Sequence, residues 1–163
     1  MRISVRRNAL TAEIYEGIRE TAGFHRYRRE DVQAALDGGL FSVVVTVDDV
    51  PAGIGRLVGD GRIAFFVKDL VVAPEYRHLG IGSMVLDELI GYVRAHCCEH
   101  AYVGLMSTPG KEGFYERHGF TRRPTADLGS GMVRFVDPAP AGVPAAASGE
   151  AMRSTFLEAA LTS

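Results

Sequence analysis

Between residues 63 and 96 an apolar stretch, a proline, a Gly-x-Gly pair and an amphipathic segment follow one another directly. Residues 63–72 are mostly apolar and stop at Pro74, which reads as a strand running into a turn. Residues 80–96 carry Ile81, Val85, Leu89 and Val93 at four-residue spacing. Leu86 and Ile90 reinforce that face, while Asp87, Glu88 and Arg94 fall on a solvated side, so the segment reads as a helix. A strand that feeds a helix through a glycine loop needs a sheet to hold it and a helix to cover that sheet. It also leaves a helix N-terminus open at the strand's end. Such a terminus has unpaired N–H groups and a positive dipole end, which suits phosphate. Gly80 and Gly82 have no Cβ to keep an anion off the backbone, and Arg77 adds a fixed charge with a forked donor.

The rest of the chain supplies the sheet. Residues 2–7 alternate Ile3 and Val5 with polar positions and read as a short strand. Leu10, Ile14 and Ile18 fall at helical spacing, and Gly23 ends that helix. Residues 31–36 read as a second short helix, with Val32, Ala35 and Leu36 on one face and Gly38-Gly39 as its stop. Residues 41–47 and 52–58 are strands about the Asp48-Asp49 turn, and Gly59-Asp60-Gly61 turns into the strand at 63–72. These three runs predict an antiparallel meander. Residues 101–106 form a further strand after the long helix, which predicts a parallel pairing. Residues 112–117 read as a short helix stopped by Gly119, and 132–136 as a last strand. The fold class is α/β (α+β): a mixed, mainly antiparallel central sheet flanked by helices. Residues 1–136 make one domain. Residues 137–163 read as a Pro/Ala-rich linker, then either a frayed tail or a short C-terminal helix with Met152, Phe156, Leu157 and Ala160 as its apolar stripe.

Composition narrows the partners. Eighteen Lys and Arg against 20 Asp and Glu give a net charge of −2, which argues against a nucleic-acid or anionic-membrane binder. The longest apolar run, 41–47, is far short of the ~20 residues that cross a bilayer, and the first residues carry no apolar signal-peptide core. The two cysteines, Cys97 and Cys98, are adjacent. Their Cα atoms lie ~3.8 Å apart, below the usual disulfide range, so free thiols and a cytoplasmic location are expected. His96, Glu99 and His100 nearby read as a polar helix end, and no metal is expected.

The loop admits three phosphate readings. A P-loop would need Lys after Gly82, and a dinucleotide fingerprint would need a third glycine where Val85 stands. The third reading is coenzyme A. Val72-Ala-Pro-Glu-Tyr-Arg-His-Leu-Gly-Ile-Gly82 resembles the acyl-CoA pyrophosphate loop of the GNAT superfamily of N-acetyltransferases, whose pattern is Arg/Gln-x-x-Gly-x-Gly/Ala. Phe114-Tyr-Glu-Arg-His-Gly-Phe120 resembles that family's second hallmark, Phe-Tyr-x-x-x-Gly-Phe. The two motifs occur in the family's order, with one amphipathic helix and one strand between them.

The resemblance implies roles at the matching positions. Leu70, Val71 and Val72 match the strand whose backbone pairs with the pantetheine arm. Arg77, His78, Leu79, Gly80, Ile81 and Gly82 match the pyrophosphate loop. Tyr115 matches the tyrosine that protonates the departing thiolate, a step a phenol of pKa ~10 can perform. A backbone N–H near Val71 would meet the thioester oxygen. The strands at 63–72 and 101–106 would splay apart to admit the cofactor. The reaction implied is acetyl transfer from acetyl-CoA to a primary amine, without metal or cysteine nucleophile. A small-molecule acceptor comes first; a protein Lys or N-terminal amine, and a non-catalytic acyl-CoA-binding module, are the alternatives. Family habit implies a homodimer.

Three departures stand out. His78 occupies a position that is often Gly, so it is either a phosphate donor or a solvent-facing residue. Thr108 stands where many members have Asn. The strand before the loop lacks the usual Glu, and Phe65 and Phe66 fill its centre. Asp69 is its only acid, expected either as general base or as a structural hydrogen-bond partner at a strand kink. A water relay, or an amine arriving neutral, would need no side-chain base.

Overall fold

A computed structural model describes residues 1–142. The elements follow in the order β1 (Ile3–Arg7), α1 (Ala12–Thr21), α2 (Arg29–Asp37), β2 (Phe41–Val47), β3 (Val50–Gly59), β4 (Ala64–Val72), a 3-10 turn (Pro74–Tyr76), α3 (Ile81–His96), β5 (Tyr102–Gly104) and α4 (Glu112–Arg117). The chain divides into two compact units, Met1–Glu112 and a second that begins at Gly113.

The first unit is built on a five-stranded sheet of order β1-β2-β3-β4-β5. The first three pairings are antiparallel and β4–β5 is parallel, as the long crossover through α3 requires. The β2–β3 hairpin turns on Asp48 and Asp49, both left-handed at φ 47° and 68°, the conformation a two-residue turn needs to match strand twist.

Helices cover both faces of the sheet. Thr11 caps α1 by accepting from the Ile14 N–H at 3.2 Å. Ala12, Tyr15 and Ile18 then turn inward to pack in one cluster with Val32 of α2, Val44 of β2, Ile54 of β3 and Val71 of β4. Residues one position off face the other way along a strand. On that second face, a Cβ at Gly53 would come within 2.5 Å of Ile81 Cγ2, and one at Gly55 within 2.5 Å of Val85 Cγ1. The two glycines let α3 sit closer to β3 than any side chain would allow. Val85, Leu86 and Leu89 are fully buried as a result, each worth about 1.5–3 kcal/mol in burial.

The expected mixed sheet, meander and flanking helices are all present. Two local expectations need correction. The strand at 101–106 is cut to Tyr102–Gly104, because only three residue pairs join it to β4. Residues 132–136 form no strand. They have no ladder partner among the described residues, and Met132 and Phe135 are each 91% exposed. The β-branched and aromatic residues Val133, Phe135 and Val136 supply strand propensity, but a strand also needs a neighbour for its N–H and C=O groups. The stripe from Met152 to Ala160 lies outside the described residues. Among the described residues no helix is long and apolar enough to cross a membrane.

Candidate functional site

The strand β4 carries a bulge at its centre. Ile54 pairs with Val71 and Arg56 with Lys68, so Gly55 alone on β3 faces both Asp69 and Leu70 on β4. The extra residue is taken up by Asp69, which is left-handed at φ 53°. Beyond the bulge, the Ala73 N–H donates to Ala52 O at 2.9 Å. Alternation along an antiparallel strand then turns Val71 toward β3 and Val72 away from it. Pairing with β5 covers only Ala64, Phe65 and Phe66. The far half of β4 thus has a strand on one side only, and the Val72 backbone faces the side that β5 leaves open.

The open edge leads into the glycine loop. Pro74–Tyr76 makes one tight turn, and the Arg77 N–H donates to Pro74 O at 3.3 Å. From there His78 and Gly80 both take left-handed backbone, at φ 67° and 76°. The amides of residues 78–83 donate to no group among the described residues, and the first closed helical bond is Met84 N–H to Gly80 O at 3.1 Å. A Cβ at Gly80 would meet nothing within 4 Å, so the turn is not filled by the protein's own side chains. Six amides open among the described residues, an N-terminal helix dipole and the exposed Arg77 give this loop the donors and positive field that a phosphate chain needs. Of the loop residues expected to bind, 78–82 have open amides, whereas the Arg77 amide is already bonded. His78 is exposed and adopts a backbone that only glycine adopts at no cost, so this departure carries a steric cost while its side chain meets solvent.

Asp69 is placed differently from a free base. Its side chain is 4% exposed and sits between two guanidinium groups. Arg56 Nε donates to Oδ2 at 2.7 Å. Arg19 Nη1 and the Tyr15 hydroxyl, the latter at 3.2 Å, both donate to Oδ1. Each carboxylate oxygen is thus engaged by a charged donor, and the structural half of the expectation is the one this geometry meets. Arg19 reaches on to His25 O at 3.1 Å and lies among three rings, its guanidinium carbon 5.0 Å from the centroids of Tyr15 and Phe24 and 5.5 Å from that of Tyr27. Burial above all, with the charge of Asp69, pushes the Tyr15 phenol up to about 12, so it stays a donor.

These rings open onto a pocket of about 190 Å³ lined by Tyr15, Glu16, Arg19, Glu20, Phe24 and Tyr27. Glu16 pairs with Arg29 at 3.0 Å and Glu20 with Arg26 at 3.2 Å on its rim. Residue spacing alone does not show that Arg19 joins this pocket to Asp69. The signal was faint: an Arg on a helix with an aromatic four positions before it and two more shortly after.

In the second unit, Tyr115 lies on α4. Its ring meets Phe114 at 5.0 Å and Phe120 at 5.9 Å, both edge-on. Its hydroxyl has no hydrogen-bond partner among the described residues. Burial raises its pKa above the ordinary 10, so the proton is held at neutral pH. Before α4, Lys111 N–H donates to Thr108 O at 3.1 Å about a left-handed Gly110, so the segment that departs from the family pattern is a tight turn. Among the described residues no group of three or more His, Cys, Asp or Glu side chains is placed to hold a metal, and Cys97 and Cys98 are free.

The family model described as an acetyltransferase (GNAT) domain matches residues 38–122. A protein named serotonin N-acetyltransferase 2, chloroplastic, from Oryza sativa subsp. japonica is 31% identical over 119 residues, 69% of this chain and 57% of its own length. GCN5-related N-acetyltransferase 1, chloroplastic, from Arabidopsis thaliana is 29% identical over 116 residues, with the same two coverages, 69% and 57%. The chain thus spans little more than half of these relatives. A probable acetyltransferase from Staphylococcus aureus superposes with a TM-score of 0.74 at 28% identity, covering 83% of this chain and 100% of that one. A GNAT family protein from Streptococcus pneumoniae gives 0.71 at 28%, covering 84% and 100%.

Proposed function

This chain belongs to the GNAT family of acetyltransferases, and from that premise we propose that it moves an acetyl group from acetyl-CoA to the primary amine of a small molecule. The observation that carries the donor half is the run of six unbonded amides at residues 78–83, at the end of a strand whose outer edge is open. A pyrophosphate fits that run, and an extended pantetheine arm fits the free edge of β4, where the Val72 N–H and C=O point outward. The acceptor half rests on the pocket beside Arg19, whose volume of about 190 Å³ suits a small molecule better than a folded protein surface. Its aromatic walls agree with the name of the rice relative, and an arylalkylamine is the acceptor class to try first.

The chemistry needs no covalent enzyme intermediate. The amine nitrogen bonds to the thioester carbon, the carbon–sulfur bond breaks, and the sulfur leaves with the bonding pair. That thiolate takes up a proton from the ammonium or from water, and the resemblance of Phe114–Phe120 to the family motif makes Tyr115 the residue to test as the donor that relays it. The amine reaches the carbonyl as the neutral base, its proton lost to water, since Asp69 is engaged on both oxygens. An outward-facing amide of β4 steadies the oxygen as charge develops.

A thiol-release assay with acetyl-CoA and a panel of amines tests this reading. It expects saturable turnover with at least one primary amine, arylalkylamines foremost. Tight CoA binding with no turnover for any amine, free or protein-borne, would instead make this chain an acyl-CoA-binding module.

A further inference from the structure

We infer that Asp69, clamped by Arg19 and Arg56, is a positioning residue for the thioester and that Arg19 ties this clamp to the acceptor pocket. The inference rests on the acyl-CoA reading above. The bulge decides which backbone groups β4 turns to its open side, and a bulge can slip by one residue unless something holds it. Here the residue held is the left-handed one. Asp69 at φ 53° is anchored by Arg56 from the neighbouring strand and by Arg19 and Tyr15 from α1. Three elements thus meet on one carboxylate whose side chain is 4% exposed, and the two arginines are 11% and 12% exposed. The clamp also reaches past the sheet. Arg56 Nη1 donates to Ala35 O of α2 at 3.4 Å, and Arg19 Nη2 to His25 O at 3.1 Å.

Arg19 has a second task. It lines the pocket and is stacked among Tyr15, Phe24 and Tyr27, while Arg56 does not line that pocket. One side chain therefore touches both the wall that would hold the acceptor and the residue that fixes the thioester strand. Errors of about 1 Å in such a register cost on the order of a hundredfold in rate. The two arginines should separate in degree: Arg56 reaches the pocket wall only through the Tyr15 ring, 6.0 Å from its guanidinium carbon, so disturbing it shifts chiefly the strand, whereas disturbing Arg19 shifts the strand and the pocket.

The test is steady-state kinetics of the full chain with acetyl-CoA and the fastest amine of the panel, with CoA binding followed by calorimetry. Asp69→Asn should lower kcat by about 10- to 100-fold and leave CoA affinity within about threefold. Its kcat/KM profile against pH should keep the wild-type shape. Both Arg56→Lys and Arg19→Lys should lower kcat, and Arg19→Lys should raise the acceptor KM well beyond any change in Arg56→Lys. Lysine keeps the charge but not the fork, so these variants carry the test if Asp69→Asn does not fold. Loss of the acidic limb in Asp69→Asn would make Asp69 the base and overturn the inference. So would a wild-type kcat in Asp69→Gly, where glycine relaxes the backbone but leaves no carboxylate to clamp. Wild-type kinetics in both lysine variants would overturn it as well. These results leave the acetyltransferase reading standing. Wild-type protein that neither binds acetyl-CoA nor releases thiol overturns that reading and the inference with it.

Discussion

Tyr115 is the side chain proposed to protonate the departing thiolate. A phenol whose pKa is raised by burial keeps its proton through neutral pH, which is what a donor to a thiolate needs. Tyr115→Phe should lower kcat by about 10²- to 10⁴-fold while CoA affinity is unchanged. In the wild type, loss of activity through this group should be centred above pH 10, because burial raises its pKa from that ordinary value. A pH profile of kcat with a basic limb centred near 8 would take Tyr115 out of the role. His78 gives a second residue-scale prediction. A non-glycine residue at φ 67° carries a steric cost, so His78→Gly relieves about 1 kcal/mol of local strain, offset in part by the added freedom of the unfolded chain. An unchanged or slightly raised unfolding midpoint is expected, with CoA affinity retained within a few-fold. A large loss of affinity would instead show that the imidazole itself holds phosphate.

At the scale of elements, the β3–β4 turn is held by one carboxylate. Asp60 accepts from the amides of Arg62 and Ile63 at 2.8 Å and of Ala64 at 3.1 Å, which hold its pKa below the ordinary 3.8. A carboxylate whose pKa is depressed by folding stabilises the fold above its unfolded value and loses that contribution as pH falls through the folded one. Glu88, held below 4.5 by its hydrogen bond from Arg7, adds to the same loss. Thermal melts between pH 5 and pH 2 should therefore show a falling midpoint, and Asp60→Asn should lower the midpoint at pH 5 and flatten the fall. Parallel curves for the two proteins would remove Asp60 from this account. The elements themselves were largely legible. Four-residue spacing marked α3, the Asp48-Asp49 pair marked a hairpin, and α4 was placed at its observed bounds. What composition cannot show is whether 132–136 finds a neighbouring strand, since propensity is local and pairing is not.

At the scale of the whole molecule, the glycine loop and the pocket beside Arg19 are legible to different degrees. The loop proposed to hold pyrophosphate lies in one short run, so its glycines and its place between strand and helix are readable together. The clamp on Asp69 is not, because Tyr15, Arg19, Arg56 and Asp69 are separated by up to 54 residues and meet only through the register of the β3–β4 bulge. A carboxylate on an otherwise acid-free strand reads equally as a base or as a structural partner until its two arginines are seen. The central claim is that the open amides of residues 78–83 grip acyl-CoA, and calorimetric titration of the full chain with acetyl-CoA tests it most directly. In Gly82→Val a branched side chain would stand at the first turn of α3, leaning toward its N-terminus where the phosphates would lie. The account predicts saturable binding to the wild type and at least tenfold weaker binding to Gly82→Val with its helical circular dichroism unchanged. A flat titration of the wild type, or equal affinity in the two proteins, would contradict it.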